Sequence, residues 1–296
     1  MAITSTDIEA VIATEDDFGH EMRVGRVLRG YLGSQTSQGG TYADPVSGKA
    51  RQFDFRWRYQ LGEFGLSLAI ECKNLNPDSP VVISGRERSK SEAFHELVES
   101  RKGGHFRTNK GDIFLDVTAA RVIRRITGND SVYFPEAFVG KSLLQLKKKE
   151  GKYTRTRDVE IYEKWSQALA SAVDLVHTAG RNATAATNQH VFTFVVPVVV
   201  LPDDSLWKIE YDVNGKIVGH PQPANEVDFF VAHEASPSIE PGDLRQPYVF
   251  SHLHFLTLTG FAALLLRITS DKEWLRSAFH EQVIAAAKAE RVLATR

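Results

Sequence analysis

The sequence predicts an α/β domain in which a mixed central sheet is flanked by helices. Three observations predict it. Residues Arg51–Lys73 alternate apolar and polar residues at the period of a strand. Val159–Ala179 is apolar at helical spacing, through Trp165, Leu169, Val173 and Val176. Val191–Leu201 is an almost unbroken apolar run, which suits a strand covered on both faces.

Element by element, the first helix is expected over Thr14–Tyr31. Thr14 suits its N-cap, and Glu15, Asp16 and Asp17 suit the positive end of its dipole. Gly33–Gly48 is rich in Gly, Ser, Thr and Gln and reads as a loop. Phe53, Phe55, Trp57 and Tyr59 then alternate with Asp54, Arg56 and Arg58. After a break at Leu61–Phe64, Leu66, Leu68, Ile70 and Cys72 alternate with Ser67, Ala69, Glu71 and Lys73. This is a hairpin pattern, and Gly62 fits the first central position of a type II′ turn. A Gly62-Glu63 turn sets Tyr59 against Leu66, Trp57 against Leu68, Phe55 against Ile70 and Phe53 against Cys72. A four-residue loop gives the same register, and a five-residue loop breaks it.

Val81–Ser84 reads as a third short strand. The stretch from Gly85 to Arg157 reads as a basic insertion with short helices at Ser91–Arg101 and Lys141–Lys149. Pro197 calls for an edge or bulge in the Val191–Leu201 strand. Asn214-Gly215 marks a type I′ hairpin turn between Leu206–Tyr211 and Lys216–Val218. Asp228–Val231 is a further strand, and helices around Leu253–Ile268 and Asp271–Leu293 close the chain. The expected organisation is one domain. Its core lies at about 14–84 and 158–235, its insertion at about 85–157, and a helical segment at about 250–296.

Composition narrows the function classes. The 296 residues are 42% hydrophobic and 25% charged, ordinary values for a globular protein. The single cysteine, Cys72, excludes an internal disulfide framework and a cysteine-rich zinc site. No signal peptide and no membrane-length apolar segment is visible, so the expected setting is cytoplasmic. From Arg86 to Arg157 there are 17 basic and 9 acidic residues, so this stretch carries about +8 within a chain of net charge −1. It is either a surface for a polyanion or a solvated basic loop. No P-loop, GxGxxG or GxSxG motif is present.

The hairpin register puts Asp54 opposite Glu71. Cβ atoms of directly opposed residues lie about 5 Å apart, so two carboxylates there repel. A divalent cation between them is the natural compensation, and Mg²⁺ takes oxygen ligands of this kind. Lys73 points to the same face as Glu71, about 7 Å along the strand. There it could orient an attacking water or stabilise charge on a phosphate. The alternative is an amphipathic hairpin whose Lys73 forms a surface salt bridge with the carboxylates.

Asp54, a hairpin, then Ala-Ile-Glu71-Cys72-Lys73 resembles the D…(D/E)xK motif of the PD-(D/E)xK, or restriction-endonuclease-like, nuclease superfamily. The predicted order of helix, three-strand meander, helix and strand is similar too. Phe53 stands where many members have a proline. The resemblance covers roughly residues 15–84 and 158–201. It implies a restriction-endonuclease-like fold and Mg²⁺-dependent hydrolysis of phosphodiester bonds in DNA, with Mn²⁺ as a substitute ion. It implies a restriction or phage-defence role, and Glu21 in the first helix as a further metal ligand beside Asp54 and Glu71. A homodimer would let one site per chain cut both strands of a duplex. The alternative is a nucleic-acid-binding protein that keeps the fold without catalysis.

Arg56 and Arg58 share the Asp54 face, where they contact phosphates or neutralise carboxylates. Arg86, Arg88 and Lys90 follow the third strand and are better placed for a DNA backbone. Lys147–Lys149 with Arg155 and Arg157 could do the same or form a solvated helix end. His252 and His254 would share a face on a strand, but point apart in the helix expected there. Cys72 alternates onto the apolar face and reads as an inert buried thiol.

Overall fold

The Arg51–Lys73 hairpin sets the register of everything built around it. In the computed structural model, which describes residues 3–108, 111–128, 132, 138–156, 160–180, 190–237, 244, 246–282 and 284–286, β4 (Phe55–Leu61) pairs antiparallel with β5 (Phe64–Cys72). The register is the expected one: Phe55 opposes Ile70, Trp57 opposes Leu68, and Tyr59 opposes Leu66. Gly62 turns the chain at φ +61°, a region glycine enters without steric cost. Phe55, Trp57, Leu66, Leu68 and Ile70 are buried. Each such side chain contributes roughly 1.5–3 kcal/mol. Phe53 leaves this face. Its ring lies under the Arg56 guanidinium at 4.3 Å, on the other side of the strand.

The remaining elements, in chain order, begin with α1 (Ser5–Glu15), α2 (Phe18–Arg29), β1 (Ser34–Gln38), β2 (Thr41–Ala43) and β3 (Ala50–Gln52). After the hairpin come β6 (Val81–Glu87), β7 (Phe94–Thr108), β8 (Gly111–Thr127), β9 (Phe138–Lys149), β10 (Lys152–Arg155) and α3 (Glu160–His177). Last come β11 (His190–Leu201), β12 (Leu206–Tyr211), β13 (Ile217–Pro223), β14 (Glu226–Ala235), β15 (Tyr248–Thr257), α4 (Leu258–Ser270) and α5 (Lys272–Ser277). Thirteen strands form one mixed sheet along the order β1-β4-β5-β11-β15-β14-β9-β6-β12-β13, with β7, β8 and β10 off this path. Helix α3 covers one face, packing Ile161, Ala168, Leu169 and Val173 on the sheet. Helices α2, α4 and α5 cover the other. Among the described residues no helix is long and apolar enough to cross a membrane.

Several expectations are corrected. The helix expected over Thr14–Tyr31 is α2, which starts at Phe18 with Asp17 as its N-cap position; Thr14 instead belongs to a separate helix, α1, that ends at Glu15. Asp16 Oδ1 accepts the Phe18 N–H at 3.1 Å, capping the restart. The loop expected at 33–48 contains β1 and β2. β1 pairs with β4, so the three-strand meander is β1-β4-β5. The strand at Val81 is not part of it: β6 lies five positions from β5, between β9 and β12. The insertion is strand, not short helices. Its β7 carries buried Glu96 and Glu99 opposite Arg125 and Arg121 of β8, at 3.1 and 2.7 Å. Cross-strand ion pairs of this kind make a polar sequence compatible with a sheet.

Pro197 lies within a central strand but on a locally unpaired edge of it. β11 pairs with β7 through residues 190–193 and with β15 through 198–201. Pro197 falls in the gap between these partners, where a missing N–H breaks no ladder bond. The Asn214-Gly215 turn is not type I′: only Gly215 has positive φ. Asp212 Oδ1 instead accepts the N–H groups of Asn214 and Lys216, closing a longer loop. Leu253–Thr257 ends strand β15 before α4 starts. A continuous apolar run fits either state, and the period alone does not decide. The expected final helix is represented by α5. Its end at Leu293, like Arg157, lies outside the described residues.

Candidate active site

Asp54 stands one residue before the Phe55–Ile70 pair, level with Glu71. Its Oδ2 accepts the Cys72 N–H at 2.7 Å and the Lys164 ammonium at 2.9 Å. Glu71 is fully buried and points toward α3. Neither of its oxygens meets a well-aligned hydrogen-bond donor; the Lys164 Nζ lies 3.6 Å away. Burial first, and then the charge of Asp54, push the Glu71 carboxyl up to about 9, while Lys164 opposes the rise. At neutral pH Glu71 therefore holds a proton, which is how two adjacent carboxyl groups coexist.

Lys164 also lies 3.9 Å from Asp17 Oδ2. Burial disfavours its ammonium, but Asp54 and Glu71 outweigh burial and hold its pKa above the ordinary lysine value. Glu21, on α2, lines with Asp54, Lys164, Arg51 and Gln167 a cleft of about 520 Å³. Burial and then Asp54 raise the Glu21 pKa. Lys73 is buried and continues the strand, its N–H donating to Val200 O at 3.0 Å. Its ammonium lies 3.3 Å from Asp17 Oδ1, so it joins the cluster through Asp17 rather than by pairing with Glu71.

Asp54 and Glu71 are thus neighbours and Glu21 lines the same cleft as Asp54, but the ligand atoms of the three do not all fall within 4.8 Å of one another; Lys73 stands one ion pair away. The proposed phosphate contacts are not brought to them. Arg56 is tied to α3, donating to Ser171 Oγ at 3.2 Å and pairing with Asp174 at 2.8 Å. Arg58 is largely buried and donates to Gln60 Oε1 at 3.1 Å; burial lowers its pKa. Arg88 is buried against Asp228 at 2.7 Å, and Arg86 pairs with Glu92 at 2.7 Å. Lys90 is exposed. All three follow or end β6, five strands from β5 in the sheet order, and Arg88 reaches the opposite face of the hairpin, where it lines a cavity with Leu66 and Leu68. They do not flank the Asp54–Glu71 position.

Two participants, Lys164 and Asp17, have no signal in the hairpin motif. Lys164 is one turn before Ala168, on the flank of the buried α3 stripe, which is the only hint the sequence carries. Asp17 reads in sequence as a residue complementing a helix dipole. Cys72 is buried, and burial raises its thiol pKa, so it is no nucleophile.

A second polar cluster lies on the other face of the sheet. β15 is a strand, so His252 and His254 share a face, correcting the helical expectation. His254 opposes Asp228 of β14, and Glu226 is two residues before it. One ligand atom from each of Glu226, Asp228 and His254 falls within 4.8 Å of the others, so this group could hold a metal ion.

No known protein family, curated protein or solved structure matches the chain.

Proposed function

We propose that the chain is a metal-dependent phosphodiesterase acting on DNA as an endonuclease, with the site at Asp54, Glu71, Lys73 and Lys164. One observation carries this reading: two carboxyl groups and an ammonium share a single point on the sheet, beside a cleft open to solvent. The order α2, β1-β4-β5, α3, then β11 parallel to β5 supports a restriction-endonuclease-like core.

The donor chemistry suits Mg²⁺, with Mn²⁺ as its substitute, but the three carboxylates do not all converge to within 4.8 Å, so Glu21 would act through a water. Asp54, Glu71 and Glu21 offer hard oxygens, and the buried Glu71 carboxyl has no aligned donor of its own. When bound there, the ion would supply Lewis-acid polarisation of a phosphate and a more acidic water. Glu71 must release its proton to serve as a ligand, and Asp54 is fixed by the Cys72 N–H beside Lys164. The Lys164 ammonium is placed to meet charge that grows on a phosphate oxygen. Asp17 holds Lys73 just past the end of β5 and also lies 3.9 Å from Lys164; in this reading the Lys73 ammonium would orient the attacking water.

The test is cleavage of supercoiled plasmid with Mg²⁺ by the full chain, beside Lys73→Ala and Glu71→Gln. Metal-dependent nicking that falls about 100-fold or more in both variants supports the reading. Equal nicking by all three proteins overturns it. A non-catalytic, DNA-holding protein is the second reading, and Lys164 favours it: its ammonium already neutralises Asp54 as a cation would. DNA retention in a gel shift without cleavage in Mg²⁺ or Mn²⁺ would select that reading.

A further inference from the structure

We propose that Glu226, Asp228 and His254 form a second metal site, selective for a transition dication of the zinc class and independent of the Asp54 site. The three ligands are fixed by strand geometry. Glu226 and Asp228 alternate onto one face of β14, and His254 projects to the same face from the paired position on β15. His254 Nδ1 lies 3.0 Å from Asp228 Oδ1 and 3.9 Å from Glu226 Oε1. Two ligands about 2.1 Å from a tetrahedral ion stand about 3.4 Å apart, and the two observed separations bracket that value. The site therefore needs only small side-chain adjustments to close on an ion.

The surroundings support ligation. Asp228 divides its oxygens: Oδ2 accepts from Arg88 at 2.7 Å, while Oδ1 is buried, has no aligned hydrogen bond and faces His254. Hydrogen bonds to the far oxygen of a ligating carboxylate hold it in place. One imidazole and two carboxylates are a set that zinc-class ions accept, whereas Mg²⁺ favours oxygen and water. The cluster opens into a cavity of about 250 Å³ walled by Leu68, Phe194, Val196 and Trp274, which leaves room for a fourth ligand. The competing cation is Arg267, 3.1 Å from Glu226 Oε1. Its side chain is 40% exposed, so it can turn to solvent when an ion arrives.

This site lies on the α4 face, while Glu71 and Lys164 lie on the α3 face, so the two can be tested apart. The metal alone is the probe. Full-length protein carrying Asp54→Asn, stripped with chelator and dialysed, is titrated with Zn²⁺, Co²⁺ and Mg²⁺ by calorimetry. Expected are one Zn²⁺ per chain, a visible d–d absorption band with Co²⁺, and no Mg²⁺ uptake. Adding His254→Ala or Asp228→Asn removes the band and the stoichiometric binding. Arg267→Gln, which deletes the competing cation, tightens Zn²⁺ binding several-fold. His254→Gln guards against a folding artefact: unfolding temperatures that match the parent show that lost binding is lost ligation. Zn²⁺ binding unchanged by these variants, or no preference for Zn²⁺ over Mg²⁺, overturns the proposal.

Discussion

The Lys164 ammonium lies 2.9 Å from Asp54 Oδ2, across 110 residues of sequence. It comes from α3, the helix that follows the insertion, and Asp54 comes from the hairpin that precedes it. The contact makes the cluster a tertiary feature rather than a local motif. Lys164→Met keeps the aliphatic stem and removes the charge. Cleavage is expected to fall about 100-fold, as for loss of a positioned charge donor. Calorimetry should show Mg²⁺ binding tighter, because the ion no longer competes with an ammonium. Unchanged cleavage would remove Lys164 from the machinery.

Glu71 gives a pH dependence with a definite sign. Its carboxyl is raised to about 9 in the fold from an ordinary value of 4.5. Between these values the native state holds a proton that the unfolded chain has released, so stability falls as pH rises. The contribution is complete below pH 4.5 and is lost as pH passes through about 9. Glu71→Gln lacks this term. The wild type should therefore lose more stability than the variant between pH 6 and pH 9, measured by urea unfolding without metal. A metal ligand must be ionised, so apparent Mg²⁺ affinity should rise over the same interval, with proton release.

The hairpin was legible because its alternation has period 2 over both strands, and Gly62 marks the turn. Phe55, Trp57, Leu66, Leu68 and Ile70 can share a buried face in one register only. Asp54 and Glu71 follow from that register. Lys164 does not, because nothing local says which flank of α3 meets the sheet. Residues 94–127 misled in another way. Their charges look solvated in sequence, but Glu96 and Glu99 are consumed by Arg125 and Arg121 inside the sheet. The +8 excess already counts Glu92, Glu96 and Glu99 against their partners; it overstates the free basic charge only where the acid lies outside the stretch, as in Arg88–Asp228 and Lys148–Asp78. Glu226 and Asp228 became a site only when Leu253–Thr257 proved to be strand, which sets His254 beside them.

Gly260, in the first turn of α4, is predicted to be irreplaceable. A Cβ there would stand 1.9 Å from Asn225 O, a backbone atom that cannot swing aside. The same Asn225 carbonyl accepts the Thr257 N–H at 3.0 Å, and Thr257 caps α4 through the Gly260 N–H at 3.1 Å. Gly260→Ala should destabilise by about 1–3 kcal/mol, the usual cost of overpacking. Because Glu226 follows Asn225, the displacement should also weaken Zn²⁺ binding at the second site. Denaturant unfolding and calorimetry on the one variant read both effects.

His95 is predicted to set an acid limit on stability. The imidazole is buried against Phe194, and its Nε2–H donates to Ala278 O at 2.6 Å, tying β7 to the end of α5. Burial lowers its pKa to about 4, although the Ala278 bond opposes the shift. Here the native state refuses a proton that the unfolded chain accepts at its ordinary 6.5. Above pH 6.5 both states are neutral and the term vanishes. As pH falls from 6.5 to about 4 the unfolded state gains, and stability drops by up to about 3 kcal/mol. His95→Gln can keep a donor to Ala278 without a titrating group. It should cost stability at pH 7, through poorer packing, and flatten the decline below pH 6.5. Parallel declines in both proteins would show that other groups carry the acid sensitivity.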